Sequence, residues 1–191
     1  TVRIDRASEP LAGHSHLPGA TLDPRAYTEI SSARSEGNLV TPLLSESLAP
    51  SPELSWNHQL LKTIDEAKKF IVVEGYELDR EDLVDRLIEK AKSGVSVAVL
   101  FDPANTEEEH EKARLLAKMR AAKLPNLTVA EYAVAAAGNG RSFEQILHIK
   151  RVVADTPAGT VCEISGGVNF NTRSMFHFDS GWRWSHSIIS S

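Results

Sequence analysis

The sequence predicts an α/β fold: a mixed, largely parallel β-sheet flanked by helices on both faces. Two observations carry this. Short apolar runs rich in β-branched residues, at 70–76 and 95–101, alternate with segments whose apolar residues recur at helical spacing, the pattern of strands covered by crossover helices. After residue 146 strand follows strand, which adds antiparallel pairing on one side of the sheet.

Residues 1–37 hold Pro, Gly, Ser and His without periodicity and read as an irregular arm, laid over the domain or partly disordered. The domain proper is expected over 38–191, opening with an extended apolar segment at 38–44 and a Ser/Pro-rich loop at 45–55. Leu60, Leu61, Ile64 and Ala67 form a helix face, and Lys68 and Lys69 suit a helix carboxyl end. After the strand at 70–76, Asp79 opens a second helix with Leu83, Val84, Leu87, Ile88 and Ala91 on one face, and Gly94 supplies a left-handed cap. The strand at 95–101 leads into an Asp102-Pro103 turn. Thr106 and Glu109 have capping-box spacing for a third helix running to about Ala122. Pro125 breaks that helix, and strands are expected at 127–133, 146–154, 161–165 and 182–189.

Composition excludes several classes. With 191 residues and a net charge of −5, the chain is one ordinary globular domain's worth of sequence, with a decorated end. It contains no run of the ~20 apolar residues that crosses a bilayer, and its amino end lacks a signal peptide's apolar core. The chain begins with Thr rather than Met, so processing or trimming leaves the compartment open. Cys162 is the one cysteine, which excludes an internal disulfide and a thiolate zinc cluster. The acidic balance works against sequence-independent nucleic-acid binding, which draws its affinity from many Lys and Arg contacts to phosphate.

The densest polar chemistry lies in Leu147-His-Ile-Lys-Arg-Val-Val-Ala-Asp155. On a strand, His148 and Lys150 share one face, and an imidazole beside an ammonium suits an anionic substrate such as a phosphate ester. Downstream, Ser165-Gly-Gly-Val-Asn169 offers a tight turn with exposed amides and an Asn side chain, a cradle for phosphate oxygens.

At these residues the chain resembles the phospholipase D superfamily, whose signature is His-x-Lys, four residues, Asp, and then a Gly-rich turn ending in Asn. His148, Lys150, Asp155, Gly166, Gly167 and Asn169 fit it. The lead-in from the helix before residue 70 to Asp102 is similar as well, so the resemblance covers roughly 38–189. It implies phosphodiester cleavage without metal or other cofactor. One motif's His attacks phosphorus to form a phosphohistidine, the other motif's His protonates the leaving alcohol, and water or another alcohol releases the phosphoryl group. By that resemblance His148, Lys150 and Asn169 are catalytic, Gly166 and Gly167 bind substrate, and Asp155 supports the motif structurally. Asp179 stands where an acidic residue would accept the imidazole's other ring proton.

Two departures stand out. The interval from Asp155 to Gly166 is a few residues longer than usual, read as a wider turn near Pro157 and Gly159. More importantly, no second full motif occurs here, since His110-Glu-Lys112 has Ala117 where the motif needs Asp, whereas the family builds its site from two. The chain therefore resembles the first half of a two-motif enzyme, and the second half-site is expected from a homodimer mate or a separate chain or segment. A single chain is expected to be inactive.

Other features take plainer readings. His14 and His16 are a pair without a third ligand and are read as solvated. His186 is read as a core or interface residue, 107–111 as an exposed helix face, and Gly138-Asn-Gly140 as a turn. Phe170, Phe176, Phe178, Trp182 and Trp184 are assigned to packing ahead of an acyl-chain entry. The leading reading is a phospholipase D-like phosphodiesterase acting on a phospholipid head group. A metal-independent nuclease is second, helped by a local basic cluster of Arg141, Lys150 and Arg151, and a non-catalytic assembly module is third. An occluded or unpaired His148 would favour the module.

Overall fold

A computed structural model describes residues 34–35, 38–103, 110–132, 147–177 and 179–186. The elements are β1 (Arg34–Ser35), β2 (Asn38–Leu44), α1 (Trp56–Glu66), β3 (Phe70–Gly75), α2 (Glu81–Lys92), β4 (Ser96–Phe101), α3 (His110–Ala121), β5 (Leu127–Glu131), β6 (Arg151–Asp155), β7 (Val161–Gly166), a 3₁₀ turn (Ser174–Phe176) and β8 (Ser180–His186). They build one eight-stranded sheet in the order β1-β2-β8-β7-β6-β3-β4-β5.

The mixed α/β sheet matches the sequence expectation, with two corrections. Only β3–β4 and β4–β5 are parallel, while β1–β2, β2–β8, β8–β7, β7–β6 and β6–β3 are antiparallel. The alternating α/β units occupy the middle of the chain only. Beyond β6 the described connections are turns without a crossover helix, such as the one closed by Thr156, Gly159 and Thr160. Such joints reverse direction. Second, the described helices form one layer on one face rather than covering both. α2 lies between α1 and α3, and Glu81 of α2 meets Arg114 and Lys118 of α3. Ile71, Val73, Val97, Val99, Val152, Ala154, Cys162 and Ile164 point toward that layer and are buried with Leu60, Ile64, Leu83, Leu87, Leu115 and Leu116. Phe70, Val72, Ala98 and Leu100, on the other face, are half-buried or more open.

Local signals explain the helix ends. Ser55 caps α1 by accepting the His58 N–H. The helix stops at Glu66, so Lys68 and Lys69 lie past it and do not serve as its carboxyl-end charges. Lys90 of α2 does that work, with Nζ donating to the Asp65 and Ala67 carbonyls at 2.6 and 2.8 Å. α2 begins at Glu81 with Arg80 as its N-cap, and Asp79 faces Thr172 instead of capping the helix. Gly94 ends α2 at φ +95°, as expected of a left-handed cap. Arg34–Ser35, placed in the irregular arm by sequence, pairs with the start of β2. The Thr106–Glu109 box, His14, His16, Gly138-Asn-Gly140 and Arg141 lie outside the described residues.

The junction that positions the site is β3 against β6. At one end Asp155 accepts the backbone N–H groups of Lys68, Lys69 and Phe70, with Oδ1 at 2.8 Å from Lys69 N and 2.9 Å from Phe70 N. At the other end Gly75 leaves β3 beneath two rings. A Cβ there would come within 2.3 Å of Phe101 and 2.7 Å of Phe170, which themselves meet edge-on at 5.8 Å. Asp102, buried just after β4, accepts the Leu147 N–H at 2.9 Å and so ties the approach to β6 into the same end of the sheet.

Burial pushes the Asp155 carboxyl up, but the N–H groups of Phe70, Lys69 and Lys68 outweigh it and leave its pKa below the ordinary value. A depressed folded pKa contributes stability that is present above the unfolded value and lost as pH falls through the folded one. Asp155→Ala should lower the unfolding free energy by about 3 kcal/mol, on the scale of losing charge-assisted bonds and stranding buried donors. Urea unfolding at neutral pH and below about pH 4 should show the wild-type advantage shrinking in acid. A gap that stays constant with pH would contradict this role for the carboxylate.

Candidate active site

The segment 147–150 enters β6 without ladder pairing of its own, so the regular strand expected from residue 146 begins only at Arg151. It still brings the two motif side chains together. Lys150 Nζ lies 2.8 Å from His148 Nε2 and donates to the His148 carbonyl at 3.2 Å. The lysine is 3% exposed, whereas the imidazole is open to solvent. His148 is therefore neither occluded nor unpaired.

Tyr76, two residues past Glu74 in β3, forms the wall behind this pair. Its ring centroid lies 5.0 Å from that of His148, and Lys150 Nζ sits 5.6 Å from the ring centre. The register Glu74↔Arg151 dictates this meeting, because in an antiparallel pair the residues past the end of β3 lie beside those leading into β6.

The glycine turn takes a different role from the one its sequence suggests. Gly166 N–H donates to the Lys150 carbonyl at 3.2 Å and Gly167 N–H to the Ser180 carbonyl at 2.9 Å. These amides are spent on the β7 connections, so the expected substrate cradle of exposed N–H groups is not what Gly166 and Gly167 provide. They provide close approach. A Cβ on Gly166 would lie 2.4 Å from Gly181 Cα, and one on Gly167 would lie 2.1 Å from Asp179 Oδ1. Asp179 is thus seated against the turn, its Oδ1 accepting the Ser180 N–H at 2.8 Å rather than an imidazole proton. Asn169 comes next, with its Oδ1 buried and without a hydrogen-bond partner among the described residues. Asp155 stands at the far end of β6, roughly 17 Å from Lys150 by the rise of a strand. Its contacts are the backbone bonds described above. Arg151 leaves the site: it pairs with Glu74 on the opposite sheet face, Nε to Oε2 at 2.6 Å, and so does not join Lys150.

Sequence reasoning missed Glu77 and Asn171. Asn171 Nδ2 donates to Glu77 Oε2, and Asn171 Oδ1 accepts the Ser174 N–H at 2.7 Å, which fixes the amide's orientation. Leu78 bridges Phe170, and Asp79 N–H donates to the Phe170 carbonyl at 3.2 Å, so 77–79 is stitched to 170–172. The signal was the acidic residue directly after the Tyr76 turn, at a strand end where α/β sites gather.

The electrostatics of the pair are set by this arrangement. Burial lowers the Lys150 pKa, opposed by the carboxylates of Glu77 and Asp179. His148 is also lowered, first by desolvation and then by the Lys150 charge, with Glu77 opposing. The imidazole is thereby favoured in its neutral form, with Nε2 as the acceptor of the Lys150 ammonium. Once that ammonium turns away from Nε2, a neutral imidazole has a lone pair with which to attack an electrophilic phosphorus centre.

A family model described as the cardiolipin synthase, phospholipase D-like domain matches residues 60–186. The chain belongs to the phospholipase D superfamily. Solved structures share the fold of this phospholipase D-like domain. They include Nuc from Salmonella typhimurium, a phospholipase D family member (20% identity over 79% of this chain and 84% of that one, TM-score 0.54). NucT from Helicobacter pylori is similar (15% identity, 77% and 85%, TM-score 0.58), and so is phosphatidylserine synthase from Haemophilus influenzae (12% identity, 86% of this chain but 41% of that one, TM-score 0.56). No curated protein sequence matches the chain. The superfamily acts on phosphodiester bonds, and the one motif of this phospholipase D-like chain lies within the matched residues.

Opposing neighbours give a test. Lys150→Met should raise the His148 titration midpoint, because a positive neighbour and a donor to neutral Nε2 are removed. Glu77→Gln should lower it, because the carboxylate favouring the imidazolium is lost. NMR titration of the His148 ring protons reads both; shifts in the same direction would contradict the arrangement.

Proposed function

We propose that this domain is a phosphodiesterase of phospholipase D type whose half-site is His148, Lys150 and Asn169, with the second half supplied by another copy or a partner segment. The observation that carries it is the exposed, neutral-leaning His148 hydrogen-bonded to the buried Lys150 at motif spacing. In the ground state Lys150 donates to Nε2. A phosphate oxygen entering the site takes over that donor, which frees the Nε2 lone pair for phosphorus. The N–P bond forms as the P–O bond to the alcohol breaks, and the leaving oxygen takes its proton from the imidazolium of the second half. Water or another alcohol then attacks phosphorus, giving its proton to that second imidazole, and the N–P bond breaks to restore His148. Asn169 is assigned to the phosphate oxygens. Asp179, seated against Gly167, is assigned to balance the charge of Lys150 rather than to orient the imidazole.

A phospholipid head group is the preferred substrate class. The matching family model is named for a cardiolipin synthase and one similar structure is a phosphatidylserine synthase. Among the described residues, Arg151 is drawn from Lys150 to Glu74, which weakens the local basic charge that would favour nucleic acid. The paired, exposed His148 supports an enzyme over a non-catalytic module. Among the described residues no helix is long and apolar enough to cross a membrane.

The test is hydrolysis of bis(p-nitrophenyl) phosphate without added metal, run alongside sedimentation of the chain over a range of concentrations. Specific activity should rise with association, or appear on adding the complementary half. His148→Ala should abolish turnover with the fold intact, and Lys150→Ala should cost about 10²–10³-fold in rate. Full activity in His148→Ala would remove the site assignment, and turnover by a sedimenting monomer would remove the need for a second half.

A further inference from the structure

α3 buries four residues, Lys112, Leu115, Leu116 and Met119, a core-facing stripe at helical spacing. Lys112 is the anomaly in that stripe. It is 2% exposed, at a position where Met or Leu would be buried at far lower desolvation cost. Packing alone does not account for an ammonium there, and two of its contacts lie at Tyr76. Lys112 Nζ donates to the Tyr76 carbonyl at 3.0 Å and lies 5.4 Å from the centre of the Tyr76 ring. The same ring is 5.6 Å from Lys150 Nζ and 5.0 Å from the His148 imidazole, at an interplanar angle of 58°. Tyr76 thus stands next to two ammonium groups, one from α3 and one from the motif, with the motif imidazole leaning on it.

We propose that Lys112 is a positioning residue of the phosphodiester site: by holding the main chain and ring of Tyr76 where the peptide leaves β3, it sets the orientation of His148. The inference rests on the phosphodiesterase reading of His148 and extends it to a helix that does not contribute to the motif. Lys112 does not touch the reacting atoms. Its effect passes through a backbone carbonyl and an aromatic face, and so it should appear in the placement of the imidazole. Misplacement of a nucleophile by a fraction of an ångström to one ångström is enough to cost a large factor in rate while leaving substrate affinity nearly unchanged.

Lys112→Met tests this in the full chain, because methionine keeps the length and apolar stem while removing the donor. The variant should stay folded with a lowered melting temperature, because the relief of burying an ammonium is set against a Tyr76 carbonyl left without its donor. The His148 ring-proton resonances, displaced by the Tyr76 ring current, should move toward their solvent-exposed positions. Lys112→Arg, which can still reach the carbonyl, should restore most of that displacement. With bis(p-nitrophenyl) phosphate and the associated or complemented chain, kcat should fall about tenfold or more in Lys112→Met with KM changed less than about twofold. A Met variant that unfolds, or one that keeps both the His148 resonances and kcat, overturns the proposal. A wild-type chain that cannot cleave phosphodiesters even when associated or complemented would instead defeat the phosphodiesterase reading, with the ring-proton displacement still deciding whether Lys112 places His148.

Discussion

The antiparallel seam between β3 and β6 is the constraint on which the rest depends. Once Ile71 pairs with Ala154 and Glu74 with Arg151, Tyr76 must emerge beside Lys150 and His148, whatever the loops do. The seam is held at both ends by polar anchors. Asp155 gathers the amides of Lys68, Lys69 and Phe70 at one end, and Asp102 takes the Leu147 amide at the other. A slip of one residue would send His148 and Lys150 to the opposite face and break the bonds these carboxylates make to the backbone across the seam, so register is strongly specified. The aromatic contact of Phe101 with Phe170 over Gly75 fills the space under the site, and Trp56 extends it from the helix layer at 5.6 Å from Phe170. The floor of the candidate site is therefore packed core.

Two buried lysines face one tyrosine, and the charge balance around them explains how the site holds an ammonium out of water. Burial works against Lys150, while Glu77 and Asp179 support it from two separate parts of the chain. The carboxylates are themselves fixed: Glu77 by Asn171, whose amide is held by Ser174, and Asp179 by Ser180 and the glycine turn. The glycines serve geometry here. Gly166 and Gly167 allow two backbones and a carboxylate to crowd together, a requirement that any side chain would breach. The Gly166 and Gly167 amides are accordingly already engaged in backbone hydrogen bonds.

Much of this was legible in the residues. β-branched runs and helical periodicity marked β3, α2 and β4 to within a residue or two, and Gly94 marked the end of α2, because local pattern and tertiary demand agree there. The motif spacing located His148 and Lys150. The direction of strands after β5 was harder to read, since a short apolar run carries no sign of its partner's orientation, and so the sheet is less parallel than expected. Lys68 and Lys69 looked like helix-end charges, but Lys90, distant in sequence, reaches those carbonyls instead. Glu77, Asn171 and Lys112 escaped because each gains meaning only from long-range contacts. A lysine in an apolar stripe, read alone, is indistinguishable from one that snorkels to solvent.

The central claim is that the His148–Lys150 hydrogen bond is a resting state which a phosphate-like anion opens by taking over the ammonium. The most direct test is a crystal structure of the associated or complemented protein with vanadate. Vanadate is expected within bonding distance of His148 Nε2, with Lys150 Nζ turned from the imidazole to a vanadate oxygen and Tyr76 unmoved. Vanadate bound elsewhere, with the 2.8 Å contact between Lys150 and His148 preserved, would contradict it.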